Sequence, residues 1–231
     1  YFMFINKIVV LLVRSATTAR KDLSDSCPGL KIIGRGGVGM DNIDVEYARE
    51  KGLSVINTPA ASSSSVAELV FAHLFGGARF LYDSNRNMPL EGESNFKGLK
   101  KAYARGIELR GKTLGIIGFG RIGQEVAKIG LGLGMNVIAT DKYIDVAEIE
   151  VSLFNETSLK ASIETLSIDK VLELSDFISL HVPAQKDYVI GSKELSMMKD
   201  NSAIINAARG GVIDEVALVS ALDSNKLAFA C

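Results

Sequence analysis

Few residues of this 231-residue sequence could do chemistry: two histidines, two glycine loops built on one template, and an arginine beside a glycine pair. Histidine is the first group to weigh for proton transfer near neutral pH. His73 lies in the apolar run "ELVFAHLF" and reads as a packed or interface histidine rather than a catalyst. His181 closes the run "DFISLH", just ahead of Val182 and Pro183. Ligands bind at the carboxyl ends of strands in open α/β sheets, so the residues alone place His181 near a cofactor and make it the candidate base. Arg209 follows the apolar stretch "AIIN" in "NAARGG". A guanidinium there could grip a carboxylate bidentately and polarise the neighbouring carbonyl; the alternative is a surface arginine before a turn. No metal-ligand cluster, G-x-S-x-G elbow or paired cysteine and histidine is visible. Hydride transfer needs none of them, only nicotinamide, a carbonyl, a cation to orient it and one proton donor.

The two loops, "IIGRGGVG" (32–39) and "IIGFGRIG" (116–123), both fit I-I-G-x-G-x-x-G. A dinucleotide site requires more than glycines: a helix must start at the loop to hold the pyrophosphate, and the next strand must end in an acid for the ribose. Gly118, Gly120 and Gly123 meet both conditions, because "QEVAKIGLGL" follows at once and the strand "NVIAT" leads into Asp141. A carboxylate there favours NAD over NADP by repelling a 2′-phosphate, although Lys142 beside it pulls the other way. The first loop fails both conditions. "MDNID" follows it, and the position equivalent to Asp141 is Asn57. Its glycines and Arg35 suit either a structural turn or a small anion such as a carboxylate or phosphate.

The elements that must hold these residues are short apolar runs alternating with amphipathic stretches. Strands are expected at 8–13, 31–34, 53–57, 113–117, 136–140, 177–181, 203–206 and 227–230. Helices are expected at 45–50, 66–81, 124–133, 168–174, 193–198 and 215–222. Such alternation implies a doubly wound parallel α/β sheet. Asp44 reads as the N-cap of the first of these helices. Ser65 and Glu68 read as a capping box for the second. The polar stretch 83–110, which contains Pro89, reads as a surface connection, and 145–166 as a small inserted hairpin. Composition adds bounds. The chain is 47% apolar and carries a net charge of −1, which gives no reason to expect a nucleic acid or membrane partner. Two cysteines and no long apolar run suggest a soluble, cytoplasmic protein.

Taken in order, "VRSAT" (13–17), "GRGGVGMDNID" (34–44), "GKTLGIIGFGRIGQEVA" (111–127), "SLHVP" (179–183) and "INAARGGVIDEVAL" (205–218) resemble the D-isomer-specific 2-hydroxyacid dehydrogenases, and within them the short phosphoglycerate dehydrogenases. The resemblance implies a Rossmann-type NAD domain, expected at 77–231, and a smaller flavodoxin-like substrate domain at 1–76, both truncated from a parent of roughly 300 residues. It implies that Arg14 and Arg35 face the anionic groups of a small substrate and that amides around Gly36 and Gly37 hold its carboxylate. Arg121 and Ile122 would cover the pyrophosphate and Asp141 the ribose. Val38, His181, Val182, Pro183, Ala207 and Ala208 would line the cofactor side, and Arg209 would orient the 2-oxo or 2-hydroxy acid. The family's proton donor is a histidine assisted by a glutamate, both matched beyond residue 231, so the resemblance withdraws His181 as the base and predicts little turnover from this stretch alone. The implied activity is oxidation of 3-phospho-D-glycerate by a homodimer. Reduction of glyoxylate or hydroxypyruvate is the alternative, and an NAD-sensing, corepressor-like binding protein is a reading from another class.

Overall fold

The computed structural model describes residues 7–154 and 157–231. They form two compact units that divide after Ser63. The first unit holds strands β1 (Val10–Val13), β2 (Ile32–Arg35) and β3 (Ser54–Asn57), joined by helices α1 (Lys21–Ser26) and α2 (Val45–Glu50). The strands pair in parallel in the order β1-β2-β3. Side chains alternate across a strand, so Leu11, Val13, Ile33 and Val55 meet Leu23 of α1 and Val45 and Ala48 of α2 on one face. The opposite face leaves Val10, Leu12 and Ile56 exposed. Asp44 takes the N-cap position of α2, but its carboxylate is diverted from capping. It accepts from Arg20 Nη1 at 2.9 Å and from the Lys21 amide at 3.2 Å.

The second unit opens with α3 (Ser63–Ala78) and α4 (Leu81–Tyr103). A five-stranded parallel sheet follows, built from β4 (Thr113–Ile117), β5 (Asn136–Thr140), β8 (Phe177–Leu180), β9 (Ser202–Asn206) and β10 (Leu227–Ala230). Its order is β10-β9-β8-β4-β5. The intervening elements are α5 (Arg121–Gly132), the hairpin β6 (Val146–Ser152) and β7 (Ser158–Glu164), α6 (Ile168–Leu174), α7 (Ser192–Met197) and α8 (Glu215–Asp223). Adjacent strand residues face opposite cores. Ile116, Phe177 and Ile205 pack with α3 and α5, whereas Ile117, Ile178 and Ile204 pack with α6, α7 and α8. The sheet is therefore wound on both faces. Successive strands step outward in one direction from β4 to β5 and in the other from β8 to β10. The order thus reverses between β4 and β8, and their carboxyl ends frame the crevice where doubly wound sheets bind ligands.

Three expectations change. The units divide at Ser63/Ser64, earlier than residue 76, because Ala67, Val70, Phe71 and Leu74 of α3 belong to the second unit's core. That helix starts at Ser63, which puts Ser65 inside it rather than at its cap. The supposed surface connection is mostly helical, because Leu81, Met88, Phe96, Leu99 and Tyr103 repeat at helical spacing. It is not one straight rod. Asn95 has non-helical backbone angles (φ −133°, ψ 29°), and Asn87 Nδ2 reaches Tyr103 Oη at 2.9 Å. Residues that far apart in a straight helix would be separated by about 24 Å, so α4 folds back on itself at Asn95. The inserted hairpin is present, with Val146 opposite Glu164 and Ser152 opposite Ser158.

Candidate functional site

The cofactor loop begins where β4 ends. Gly118 has φ +95°, and a Cβ there would lie 2.7 Å from the His181 carbonyl oxygen. A Cβ on Gly123 would lie 2.3 Å from the Gly118 carbonyl oxygen. These glycines let the loop lie against the start of β8's exit and let α5 close onto β4. Gly120 differs, since a Cβ there would meet nothing within 4 Å. It is the N-cap of α5 and offers no capping side chain. The first amides of this twelve-residue helix, those of Arg121, Ile122 and Gly123, are therefore left for an anion, in the field of the helix dipole.

A cavity of about 480 Å³ lies at these strand ends, and Gly118, Gly120, Asp141, His181, Val182 and Pro183 line it together. Thr140, Lys142, Tyr143 and Gln185 complete part of its wall. Asp141 is fixed from two sides, with Oδ2 accepting from the Phe119 amide at 2.7 Å and Oδ1 from the Tyr143 amide at 2.9 Å. Each carboxylate oxygen keeps a second lone pair, enough for a ribose hydroxyl. His181 Nε2 stands 2.8 Å from Ser179 Oγ, and Nδ1 is buried without a partner. Burial lowers the His181 pKa from 6.5 to about 4, so the ring is neutral at neutral pH. An uncapped helix start, an acid at the next strand's end and an orphaned ring nitrogen all fit a dinucleotide. Arg121, Ile122 and Gly123 would hold its pyrophosphate, and Asp141 its ribose.

Ala207, Ala208 and Arg209 leave the end of β9, outside the lining of that cavity. Asn206 shapes this turn. Its Oδ1 accepts from the Ala208 amide at 3.0 Å, and its Nδ2 donates to the Arg209 carbonyl at 2.8 Å. The half-buried Arg209 side chain donates from Nη1 to the Ala208 carbonyl at 2.9 Å.

In the first unit, Arg14, Arg35 and Gly36 share a cavity of about 350 Å³ with Leu12, Ile56 and Asn57. Arg35 is braced: Nη1 donates to the Gly39 carbonyl, and Nη2 to Ser15 Oγ at 3.3 Å. Two loop amides are already used, that of Gly36 by the Val13 carbonyl at 3.1 Å and that of Gly37 by the Arg35 carbonyl at 3.0 Å. A carboxylate at those amides would have to compete with these bonds. Val38 projects from the same loop, exposed. His73 is exposed rather than packed, since Leu74 and Phe71 take the buried positions of α3. Ser179 and Asn206 are functional candidates that spacing alone did not single out. Ser179 sits two residues before His181, on the same face of the strand, and an asparagine ahead of a turn is a known backbone-bonding signal.

Residues 71–231 match the model of the D-isomer specific 2-hydroxyacid dehydrogenase NAD binding domain. A D-3-phosphoglycerate dehydrogenase of Methanocaldococcus jannaschii is 44% identical over 221 residues, which is 94% of this chain and 39% of that protein. A hydroxypyruvate reductase of Thermotoga maritima is 44% identical over 225 residues, 96% of this chain and 68% of that protein. The solved D-lactate dehydrogenase from Aquifex aeolicus, complexed with NAD and lactic acid, superposes with a TM-score of 0.73 at 30% identity, covering 100% of this chain and 65% of that one. This chain thus spans less than half the length of the first of these relatives and about two thirds of the second. The glycine loop, the acid at the end of β5 and the fold agree with these matches: the chain belongs to the D-isomer specific 2-hydroxyacid dehydrogenases and carries their NAD-binding domain.

Proposed function

We propose that the intact protein oxidises 3-phospho-D-glycerate to 3-phosphooxypyruvate with NAD, the entry step to serine synthesis. The observation that carries this reading is the pair of guanidiniums, Arg14 and Arg35, on one small cavity of the first unit. Two cations suit a substrate bearing both a phosphate and a carboxylate. The Methanocaldococcus relative's name supports the same choice. Bound NAD supplies the hydride acceptor. Arg209 orients the 2-hydroxy acid by its carboxylate and stabilises the developing carbonyl. His181 does not take the proton, because burial lowers its pKa to about 4 and makes the ring a weak base, and its Nε2 is engaged by Ser179.

A second reading, reduction of hydroxypyruvate or glyoxylate, draws support from the bracing of Arg35 by Gly39 and Ser15. That bracing leaves Arg14 as the less committed cation. The Thermotoga relative's name points the same way. We further expect a homodimer, supported by the exposed Leu69, Phe75, Leu90 and Phe96 of α3 and α4; light scattering during gel filtration tests it. The substrate test is direct. Intact protein and NAD should yield NADH with 3-phosphoglycerate and not with glycerate or lactate. The reverse pattern overturns the phosphoglycerate assignment and favours the second reading. Arg209→Lys should lower kcat/KM by roughly a hundredfold or more while NAD still binds, and wild-type turnover would remove Arg209 from its role.

A further inference from the structure

Met40–Asp44, the segment that denies the first glycine loop a helix, has a use of its own: it ties down the chain that leaves β1. Asn42 Nδ2 donates to two carbonyls of that chain, those of Arg14 at 2.9 Å and of Thr17. The Asn42 carbonyl accepts from the Ala19 amide at 2.8 Å, and the Thr17 amide turns back to the Arg14 carbonyl at 3.3 Å. Because both neighbours are carbonyls, the nitrogen of the carboxamide and not its oxygen must face them. Asn42 Oδ1 is left buried without a partner. Two neutral bonds, partly offset by a stranded acceptor, add little stability. What they do fix is the course of the loop from Arg14 to Thr17.

That loop carries the cations of the first unit's cavity. Arg14 is exposed, and among the described residues its side chain makes no hydrogen bond or ion pair. The fold therefore controls its guanidinium only through the backbone that carries it. Beside it, Ser15 Oγ accepts from Arg35 Nη2 at 3.3 Å, so Arg35 leans on the same loop. Both arginines line one cavity. We propose that Asn42 is a positioning residue for this cavity: its carboxamide pins the loop after β1 and so sets the spacing of the Arg14 and Arg35 guanidiniums. A flexible cation on a fixed backbone has less freedom to lose when an anion binds, and a substrate with two anionic groups needs both cations in place at once. Asn42 thus acts on affinity for the acid. NAD binding, which belongs to the second unit, is untouched.

This inference rests on the reading of Arg14 and Arg35 as substrate cations, and the two can fail separately. Hydrogen exchange of the intact protein, followed by mass spectrometry, reads the pin without substrate. Asn42→Ala should speed exchange across residues 14–19 about tenfold or more, while the Ala48 amide of α2, bonded to the Asp44 carbonyl, keeps its protection. Unchanged exchange overturns the role of Asn42 in holding the loop. In steady-state assays Asn42→Ala should raise KM for the acid that is turned over, 3-phosphoglycerate on the reading above, by about tenfold. The kcat and the NAD dissociation constant should stay within about twofold; a general loss of kcat and NAD affinity would mark a merely structural residue and sink the proposal. Arg14→Gln reports on the reading itself. A wild-type KM there removes Arg14 from the substrate, whereas a raised KM beside an unaffected Asn42→Ala removes Asn42 from its role. In the Arg14→Gln background, Asn42→Ala should cost less than it does alone, since it acts through the loop; multiplicative losses refute the coupling. If Asn42→Ala does not fold, Ser15→Ala at an exposed position cuts the tie to Arg35 alone. It should raise KM about threefold without lowering Tm, and an unchanged KM would show that the loop does not space the two cations.

Discussion

Asp141 holds two backbone amides and, in the function proposed above, a ribose hydroxyl, and two assays on one variant read the two roles apart. Its carboxylate faces the cofactor cavity, yet both oxygens already accept backbone amides: Phe119 of the glycine loop at 2.7 Å and Tyr143 at 2.9 Å. Asp141→Asn keeps the shape and removes the charge. The amide oxygen can still accept one of the two N–H groups, now without charge assistance. The amide nitrogen must then face the other N–H, donor against donor. A hydrogen bond to a charged group is worth about 1.5–3 kcal/mol and a neutral one about 0.5–1.5 kcal/mol. Losing one bond and weakening the other removes about 2.5–4.5 kcal/mol, which solvent screening at the half-buried Asp141 trims to about 2–3 kcal/mol of destabilisation of the second unit. For a unit of this size that lowers Tm by roughly 4–12 °C. Calorimetry and urea unfolding without cofactor read this effect, and titrations with NAD and NADP read the ribose contact on the same samples. NAD affinity should fall, and the preference over NADP should shrink as the repulsive charge goes. A variant that loses NAD affinity but melts with the wild type would refute the idea that Asp141 latches the glycine loop.

Other expectations follow from the same geometry. Folding lowers the His181 pKa from 6.5 to about 4, so the unfolded chain binds a proton more readily across that window, and stability must fall as pH drops through it. The expected loss through this residue is about 2 kcal/mol between pH 7 and pH 5, and His181→Asn should show a correspondingly flatter urea midpoint over that range; equal slopes would contradict the burial effect. Gly123→Ala would push a methyl to 2.3 Å from the Gly118 carbonyl oxygen, so it should destabilise by about 1–3 kcal/mol and abolish measurable NAD binding. Gly120→Ala, with open space around its Cβ, should melt like the wild type and weaken NAD alone. If the two glycine variants behaved alike, the loop's packing would be misread. Asn206→Ala removes both bonds that shape the turn before Arg209; kcat should drop while NAD affinity holds, as steady-state kinetics and titration would show together.

Much of this was legible in residues whose local chemistry and tertiary setting agree. Thr113–Ile117 is a mostly buried, β-rich run that ends at Gly118, and Asn136–Thr140 is a partly buried one that starts shortly after Gly134; the strands match those bounds. The placing of Gly118, Gly120 and Asp141 on one cavity was readable because a helix start and a strand end each leave a mark in the sequence. The miss at Leu81–Tyr103 has a different cause. Pro89 and several polar residues argue for a loop, and only the stripe through Leu81, Met88 and Leu99 argues against it. The fold-back at Asn95 depends on Tyr103 meeting Asn87 and Phe80, contacts no local pattern encodes. Arg35 was legible as an anion candidate by type. Its bonds to Gly39 and Ser15 were not, since they need the curvature of the loop.

The hairpin bears on how this sheet behaves in crowded solution. Among the described residues β5 is an outer strand, with β4 as its one full-length neighbour. The chain leaving β7 lies along it: Thr165 pairs with Ala139, and the Leu166 amide donates to the Ala139 carbonyl at 2.8 Å. Glu148, Glu150, Lys160 and Glu164 stand outward on the two hairpin strands. An unpaired strand edge is a template for joining other chains, and charge on a covering element discourages that. The insertion that follows Asp141 thus acts as a guard against strand-to-strand association. Trimming it should first appear as aggregation during refolding, before any change in turnover.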